Sequence, residues 1–328
     1  MLLSSRRMPA SPPLSIAWAI HDGRAGNRRQ VLALASALRL DAVEQVLDPG
    51  PSARWLAPRQ LPWSSTPFGV LFEQALHARP PQLALGCGRM AALATRLARR
   101  AGARAVQILD PRTDTRHWDL VIAPDHDRLR GNNVLPLVGS LNPVDADWLI
   151  AARQEFDTLE QRASPRTAVL IGGPTTATRF DHAALQTMLG KLDASVAQDG
   201  GSLLICASAR TPKAWTPMLR ERYRDARHLL WLDASDGPNP YAGVLAWADR
   251  IVATPDSVNM ISEACSTTVP VHVAELHCAS GRIAAFLQSL ITLGRIQPYA
   301  GALAPFAVTA LTETSRIAAL VRERLSLR

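Results

Sequence analysis

Short apolar runs recur along the chain, each closed by glycine or polar residues and followed by a helical repeat. Leu14 to Ile20 is the first, closed by His21-Asp22-Gly23-Arg24-Ala25-Gly26-Asn27, and a helical pattern follows from Arg28 to Leu38. Further strands are expected at Ala42–Leu47, Leu83–Leu85, Ala105–Leu109 and Leu120–Ala123, with helices at Phe68–Ala78 and Met90–Arg100. The strand ends carry Gly86-Cys87-Gly88-Arg89, Asp110-Pro111-Arg112 and Pro124-Asp125-His126-Asp127. Between them Asp48–Pro67 is proline-rich and reads as an irregular loop packed down through Trp55 and Trp63. Asn142-Pro143 opens a helix expected to run to about Arg162 and to end in the hinge-like Ala163-Ser164-Pro165-Arg166.

The alternation then restarts. Strands are expected at Ala168–Ile171, Leu203–Cys206, Leu229–Leu232, Ile251–Val252 and Pro270–Val273, with helices from Asp181 to about Val196, Ala242 to Trp247, Ser257 onward and Ser280 to about Leu290. An amphipathic helix from Thr312 to Leu325 closes the chain. Repeated strand, loop and helix predicts mainly parallel sheets with the working loops at their carboxyl edges. At 328 residues the chain exceeds one core. We therefore expect an α/β protein of two doubly wound Rossmann-like domains. The divisions are a leader at 1–13, domains at 14–164 and 165–300, and a terminal segment at 301–328 that could return to the first domain.

Composition is globular, at 47% hydrophobic and 20% charged residues. The net charge of +8 comes almost wholly from arginine, since Lys191 and Lys213 are the only lysines. Split at residue 164, the excess is shared between the halves, which does not suggest a nucleic-acid binder but suits anionic ligands or an anionic membrane surface. Cys87, Cys206, Cys265 and Cys278 have no metal-type spacing and read as free thiols of a reducing compartment. No run of about 18 apolar residues reads as a membrane span.

Three strand ends of the second half share one chemistry. Gly172-Gly173 lets backbone approach a diphosphate, Ser208, Arg210 and Thr211 offer donors and a positive charge, and Asp256-Ser257 starts a helix whose free N–H groups suit a phosphate. Glu263, under two turns along that helix, is placed to reach a ribose; an ordinary strand–helix turn with a solvated glutamate is the plain alternative. Neither GxxxxGK[ST] nor GxGxxG occurs, which argues against a P-loop and a nicotinamide dinucleotide. A nucleotide-sugar epimerase is expected to need NAD and a Tyr-x-x-x-Lys pair, and neither lysine has one.

Taken in order, Gly23-x-x-Gly26 with Gln30, Gly86-Cys-Gly88-Arg89, His126-Asp127, Gly172-Gly-Pro174, Ser208-x-Arg210-Thr211, Pro238-Asn239-Pro240 and Asp256-Ser257 through Glu263 form a pattern. It resembles the plant mitochondrial-fission (elongated mitochondria) family and its bacterial relatives, which look like GT-B glycosyltransferases. The resemblance runs from about residue 16 to residue 300. It departs at Thr268-Val269, where the family has Gly-Lys, and at Tyr241, where plant members have His.

The resemblance implies two domains facing a cleft. The second would hold a nucleotide-sugar donor at Gly172, Gly173, Pro174, Ser208, Arg210, Thr211, Asn239, Asp256, Ser257 and Glu263. The first would hold an acceptor at Gly23, Gly26, Gln30, Gly86, Gly88 and Arg89. It implies no cofactor and no metal, a nucleotide sugar as partner, a glycolipid acceptor at a membrane surface, and a cytoplasmic place beside the inner membrane. Inverting transfer needs a base, and His126 with Asp127 offers an imidazole beside a carboxylate, against the alternative of a capped turn. His21-Asp22 and Asp110 are further candidates. Arg89 suits an anionic acceptor group or open solvent, and Cys265 reads as core. The rival to an enzyme is an adaptor that keeps a GT-B shell, the role implied by the plant members.

Overall fold

The computed structural model describes residues 16–59 and 66–327, and the chain divides into two compact units. The expected leader at 1–13 and Trp63 lie outside the described residues.

The first unit runs to Pro124 and adds Leu129–Leu137 and Thr314–Arg328. Its elements are β1 (Ala17–His21), α1 (Ala25–Ala37), β2 (Ala42–Val46), α2 (Pro51–Leu56), α3 (Gly69–Ala78), β3 (Leu83–Cys87), α4 (Arg89–Arg100), β4 (Arg104–Ile108), β5 (Leu120–Pro124) and β6 (Val134–Leu137). All strands are parallel, in the order β2-β1-β3-β4-β5-β6. Strands β1, β3 and β5 are buried along their whole length, as continuous apolar runs between helices must be.

The second unit is Asp125–Arg128 with Val138–Glu313. It comprises α5 (Ala146–Glu155), β7 (Arg166–Ile171), α6 (His182–Asp199), β8 (Ser202–Ala207), α7 (Thr216–Arg222), β9 (Leu229–Trp231), α8 (Tyr241–Trp247), β10 (Arg250–Ala253), α9 (Val258–Cys265), β11 (Val271–Ala274), α10 (Gly281–Thr292) and β12 (Ile296–Tyr299). The sheet is again parallel, ordered β12-β11-β10-β7-β8-β9. This is the doubly wound Rossmann order, and the strand sequence reverses between β7 and β10. A crevice opens there above the carboxyl ends. Helices α8, α9 and α10 share one core layer, and α6 and α7 another.

Several elements differ from the sequence expectations. The helix expected from Asn142 to Arg162 starts only at Ala146, because Asn142 Oδ1 accepts from Val144 N (3.0 Å) and Asp145 Oδ1 accepts from Trp148 N (2.8 Å) as the N-cap. It yields at Phe156 to a 3-10 turn over Asp157–Gln161. Read with the first domain, α5 instead groups with the second unit: Arg153 donates to Ala246 O (2.8 Å), and Phe156 lies against Gly243, where an added Cβ would come within 2.4 Å of it. Strands β6 and β12 were not expected. Each contains a proline, Pro136 and Pro298, and each is the edge of its sheet, where a missing N–H costs no ladder bond. The stretch read as irregular holds α2, and Trp55 is 87% exposed instead of packed down.

The last helix, α11 (Glu313–Leu325), buries Ile317, Ala318, Val321 and Leu325. Arg316 donates to Pro136 O (2.7 Å) and Arg322 to Ala37 O (2.7 Å), so its length from Thr314 belongs to the first unit.

His272 in β11 is 1% exposed, lies edge-on to Tyr299 and Phe306, and among the described residues neither ring nitrogen has a partner. Burial, with a smaller contribution from Arg250, holds its pKa down to about 4. The unfolded chain takes up this proton below the ordinary histidine value of 6.5 and the folded chain only below about 4. Stability is therefore full above the upper value and falls as pH drops between the two, by at most about 3 kcal/mol. His272→Phe should flatten that part of the pH–stability curve relative to the parent, read by urea unfolding at a series of pH values.

Candidate functional site

The crevice between β7 and β10 is organised by one carboxylate. Asp256 is 4% exposed and stands in the Thr254-Pro255-Asp256-Ser257 turn that Pro255 keeps out of the helix. Its Oδ1 accepts from Thr254 Oγ1 (2.6 Å), and its Oδ2 accepts from Gly173 N (3.1 Å) and Arg210 (2.7 Å). Thr254 Oγ1 in turn accepts from Gly172 N (2.8 Å). Asp256, expected to touch the donor, thus turns inward and spends its charge on protein donors, as a buried carboxylate must.

The same packing accounts for the glycines. A Cβ at Gly172 would come within 2.1 Å of both Asp256 carboxylate oxygens, and one at Gly173 within 2.2 Å of Arg210 O. Close approach within the protein already forbids a side chain at both. The β8 loop is tied to the same place. Thr211 Oγ1 reaches Ile171 O (2.9 Å) and Gly172 O (2.8 Å), and Ser208 Oγ accepts from Arg210 N (3.2 Å). What remains on offer is the Arg210 guanidinium, 49% exposed and held from behind by Asp256, with exposed Pro174 on the adjoining loop.

Helix α9 starts two residues after Asp256. Ser257 caps it by accepting from Met260 N (3.4 Å), while among the described residues the N–H groups of Val258 and Asn259 have no partner. They carry the positive end of the helix dipole. Arg210, bound to Asp256, and these amides, which follow Asp256 by two and three residues, are donors that could hold an anion. Farther along α9, Glu263 is 1% exposed and accepts from the Tyr241 hydroxyl (2.5 Å), so the carboxylate expected to reach a ribose is covered by tyrosine. Exposed Asn239 accepts from Tyr241 N (3.0 Å), which sets the entry to α8. Thr254 and Tyr241 are the two contributors that spacing did not single out, although the Thr-Pro-Asp-Ser turn points to the first.

His126 and Asp127 form a 3-10 turn in the second unit, not the first. The imidazole packs on Phe286 (centroids 5.4 Å apart) and burial lowers its pKa, while Asp127 accepts from Arg282 (3.1 Å). No hydrogen bond joins the two among the described residues. A cleft of about 570 Å³ opens farther along the β7 loop, lined by Thr176, Arg179, Asp181, Glu275, His277 and Ser280 but by neither Arg210 nor Ser257.

In the first unit the corresponding crevice lies between β1 and β3. Buried His21 Nε2 bonds Glu44 Oε1 (2.8 Å), and two bonds from Arg28 with the His21 bond hold the Glu44 carboxyl down to about 2. Asp22 accepts from Asn27 Nδ2 (2.9 Å) beside exposed Gly23. Gly26 is the second residue of α1, and Gln30 is buried in that helix with no partner for Oε1 among the described residues. Gly86 lies inside β3, where a Cβ would come within 2.5 Å of Thr95, and one at Gly88 within 2.5 Å of the Asn27 amide. Arg89, expected to hold an acceptor anion, instead donates to Ala57 O (3.0 Å) and Arg54 O (2.6 Å), closing the end of α2. Cys265 is fully buried and its thiol is pushed up to about 12, which suits core and not nucleophile.

The family model "Mitochondrial fission ELM1" matches residues 25–325. The Arabidopsis thaliana "Mitochondrial fission protein ELM1" is 29% identical over 289 residues, 79% of this chain and 67% of that protein. Among solved structures, the UDP-GlcNAc 2-epimerase from Methanocaldococcus jannaschii matches with a TM-score of 0.56 and 11% identity, covering 94% of this chain and 99% of its own. Acinetobacter baumannii MurG matches with a TM-score of 0.50 and 15% identity over 96% and 92%. These likenesses assign the fold, which is of the GT-B type with two Rossmann-like domains.

The glycine contacts give a paired prediction. Gly172→Ala should destabilise the protein by about 1–3 kcal/mol, because its methyl meets the Asp256 carboxylate. Gly190→Ala, inside α6 with open space around the added methyl, should stabilise it by about 0.5–1 kcal/mol. Thermal or urea unfolding of the two variants checks both signs.

Proposed function

The chain belongs to the mitochondrial fission ELM1 family, and from that premise we propose that it is a GT-B glycosyltransferase moving a sugar from a nucleotide-sugar donor to a cell-envelope acceptor. The observation that carries this reading is Arg210, fixed by buried Asp256 beside the open N-terminus of α9 at the β7–β10 switch point. In this reading the donor diphosphate lies on the Val258 and Asn259 amides and the Arg210 guanidinium, with Gly172, Gly173, Ser208 and Thr211 shaping the loops beneath it. As the acceptor oxygen bonds to the anomeric carbon and the bond to the diphosphate breaks, the leaving group's growing charge meets the helix dipole and the arginine. No metal is needed for that step.

Glu263 and Tyr241 would border the ribose as a pair, since either can act there only through the other. His126, its pKa lowered by burial, is neutral at pH 7 and is the candidate base for the acceptor hydroxyl; Asp127 would bear on it through its ion pair with Arg282. We place the protein in the cytoplasm beside the inner membrane, where a glycolipid acceptor would be met.

Calorimetric titration with a panel of nucleoside diphosphates and nucleotide sugars tests the donor half of the proposal. We expect one diphosphate to bind and Arg210→Ala to weaken it about 10- to 100-fold, the worth of a charge-assisted hydrogen bond. If no nucleotide binds, the donor reading fails and a non-catalytic adaptor with this shell takes its place. If a nucleotide sugar binds and leaves as its epimer without any acceptor, the reaction is epimerisation and the transferase reading fails.

A further inference from the structure

Split in half, the positive charge of the chain looks even, but a finer division changes this. Residues 51–100 hold seven arginines and one acid, Glu73, so 7 − 1 gives six of the net +8 in fifty residues. Glu73 adds little to the surface, since its side chain is mostly covered and burial raises its pKa. That window forms α2, α3, β3 and α4 of the first unit.

The same window exposes large apolar side chains. Trp55 and Leu56 on α2 are 87% and 36% exposed, and Val70 and Leu71 on α3 are 58% and 83% exposed. Gly50 N donates to Pro67 O (3.0 Å), so the two helices start side by side. Ala53 of α2, and Phe68, Phe72 and Leu76 at and along α3, belong to one core, so the exposed side chains of both helices are those turned away from it. Arg89 and Arg96 of α4 fasten the end of α2 by donating to the carbonyls of Arg54, Ala57 and Pro58. An exposed Trp, Leu, Val and Leu on two anchored helices gain nothing for the fold, and such patches mark contact with something else.

We propose that the α2–α3 face of the first unit docks the protein on an anionic lipid bilayer. Trp55, Leu56, Val70 and Leu71 enter the boundary between headgroups and acyl chains, and the exposed arginines Arg59 and Arg79 meet lipid phosphates, while Arg54 is engaged by Pro49 O (2.8 Å) and Asp48 (3.9 Å). Tryptophan and aliphatic tips ringed by arginine is the composition of an interface-seeking surface. A second copy of the chain is the poorer occupant, because it would bring the same positive window against itself. Among the described residues no helix is long and apolar enough to cross a membrane. The inference does not rest on the donor site, and a failed nucleotide titration leaves it standing.

The test is flotation of the full-length protein with phosphatidylcholine vesicles, with and without phosphatidylglycerol. We expect binding to the anionic vesicles, weakening with added salt, and little binding to the neutral ones. Trp55→Ser with Leu71→Ser should lower the partition coefficient tenfold or more. Arg59→Glu with Arg79→Glu should lower it by at least about fivefold per reversal, while both double variants keep the parental melting temperature. Equal binding to both vesicle types, or partition unchanged in the variants, overturns the proposal. A dimer that the Trp55/Leu71 variant dissolves, with vesicle binding unaffected, overturns it in favour of a second copy.

Discussion

A carboxylate removed from water must have its oxygens answered by donors or the structure around it gives way, and Asp256 imposes that demand on three loops at once. Thr254 answers from its own turn, Gly173 from the end of β7, and Arg210 from the end of β8. Removing one of these donors leaves the buried carboxylate under-satisfied, at a cost of about 1–3 kcal/mol. The geometry of the crevice is therefore narrowly set. Because Asp256 is buried and Arg210 only half so, the arginine is the member that can serve a second partner, and it is already oriented when that partner arrives.

Helix α9 is treated differently at its two ends. At the carboxyl end the buried guanidinium of Arg295 donates to the carbonyls of Cys265 (2.9 Å), Ala264 (3.1 Å) and Thr267 (2.8 Å). Burial lowers its pKa, and the three acceptors compensate the charge. At the amino end only the Met260 amide is answered, by Ser257. One end is closed by the protein and the other left for solvent or a ligand, so the dipole stays usable where the crevice opens. The Tyr241–Glu263 bond ties the middle of α9 to α8 and steadies the helix from the side.

The alternation of apolar runs with glycine and polar closures was legible because parallel strands buried on both faces have to be almost wholly apolar, as β1, β3, β5 and β8 are apart from the terminal His21 and Ser202. The proline-bearing edges β6 and β12 were not, since proline speaks against a strand until one knows the strand is an edge. Which polar residues and glycines stand at the strand ends of the second unit was legible, but not the directions they face. Composition cannot say whether an aspartate at a strand end faces a ligand or the protein, nor whether a glycine makes room for phosphate or for Asp256. Arg89 is the same case. At a helix start it reads as an anion contact, yet the unanswered carbonyls of α2 claim it first.

That last point separates the two units. Both have parallel doubly wound sheets with a switch point, and polar residues stand at both crevices. In the first unit those groups satisfy one another: His21 and Arg28 on Glu44, Asn27 on Asp22, and Asn27 again packed beside Gly88. In the second unit Arg210 and the amides opening α9 are left available at the surface of an otherwise satisfied network. A similar layout thus leaves donors for a ligand only where some of them are not taken up within the protein. The unspent groups of the first unit lie elsewhere, on α2 and α3, where its arginines and its exposed apolar side chains coincide.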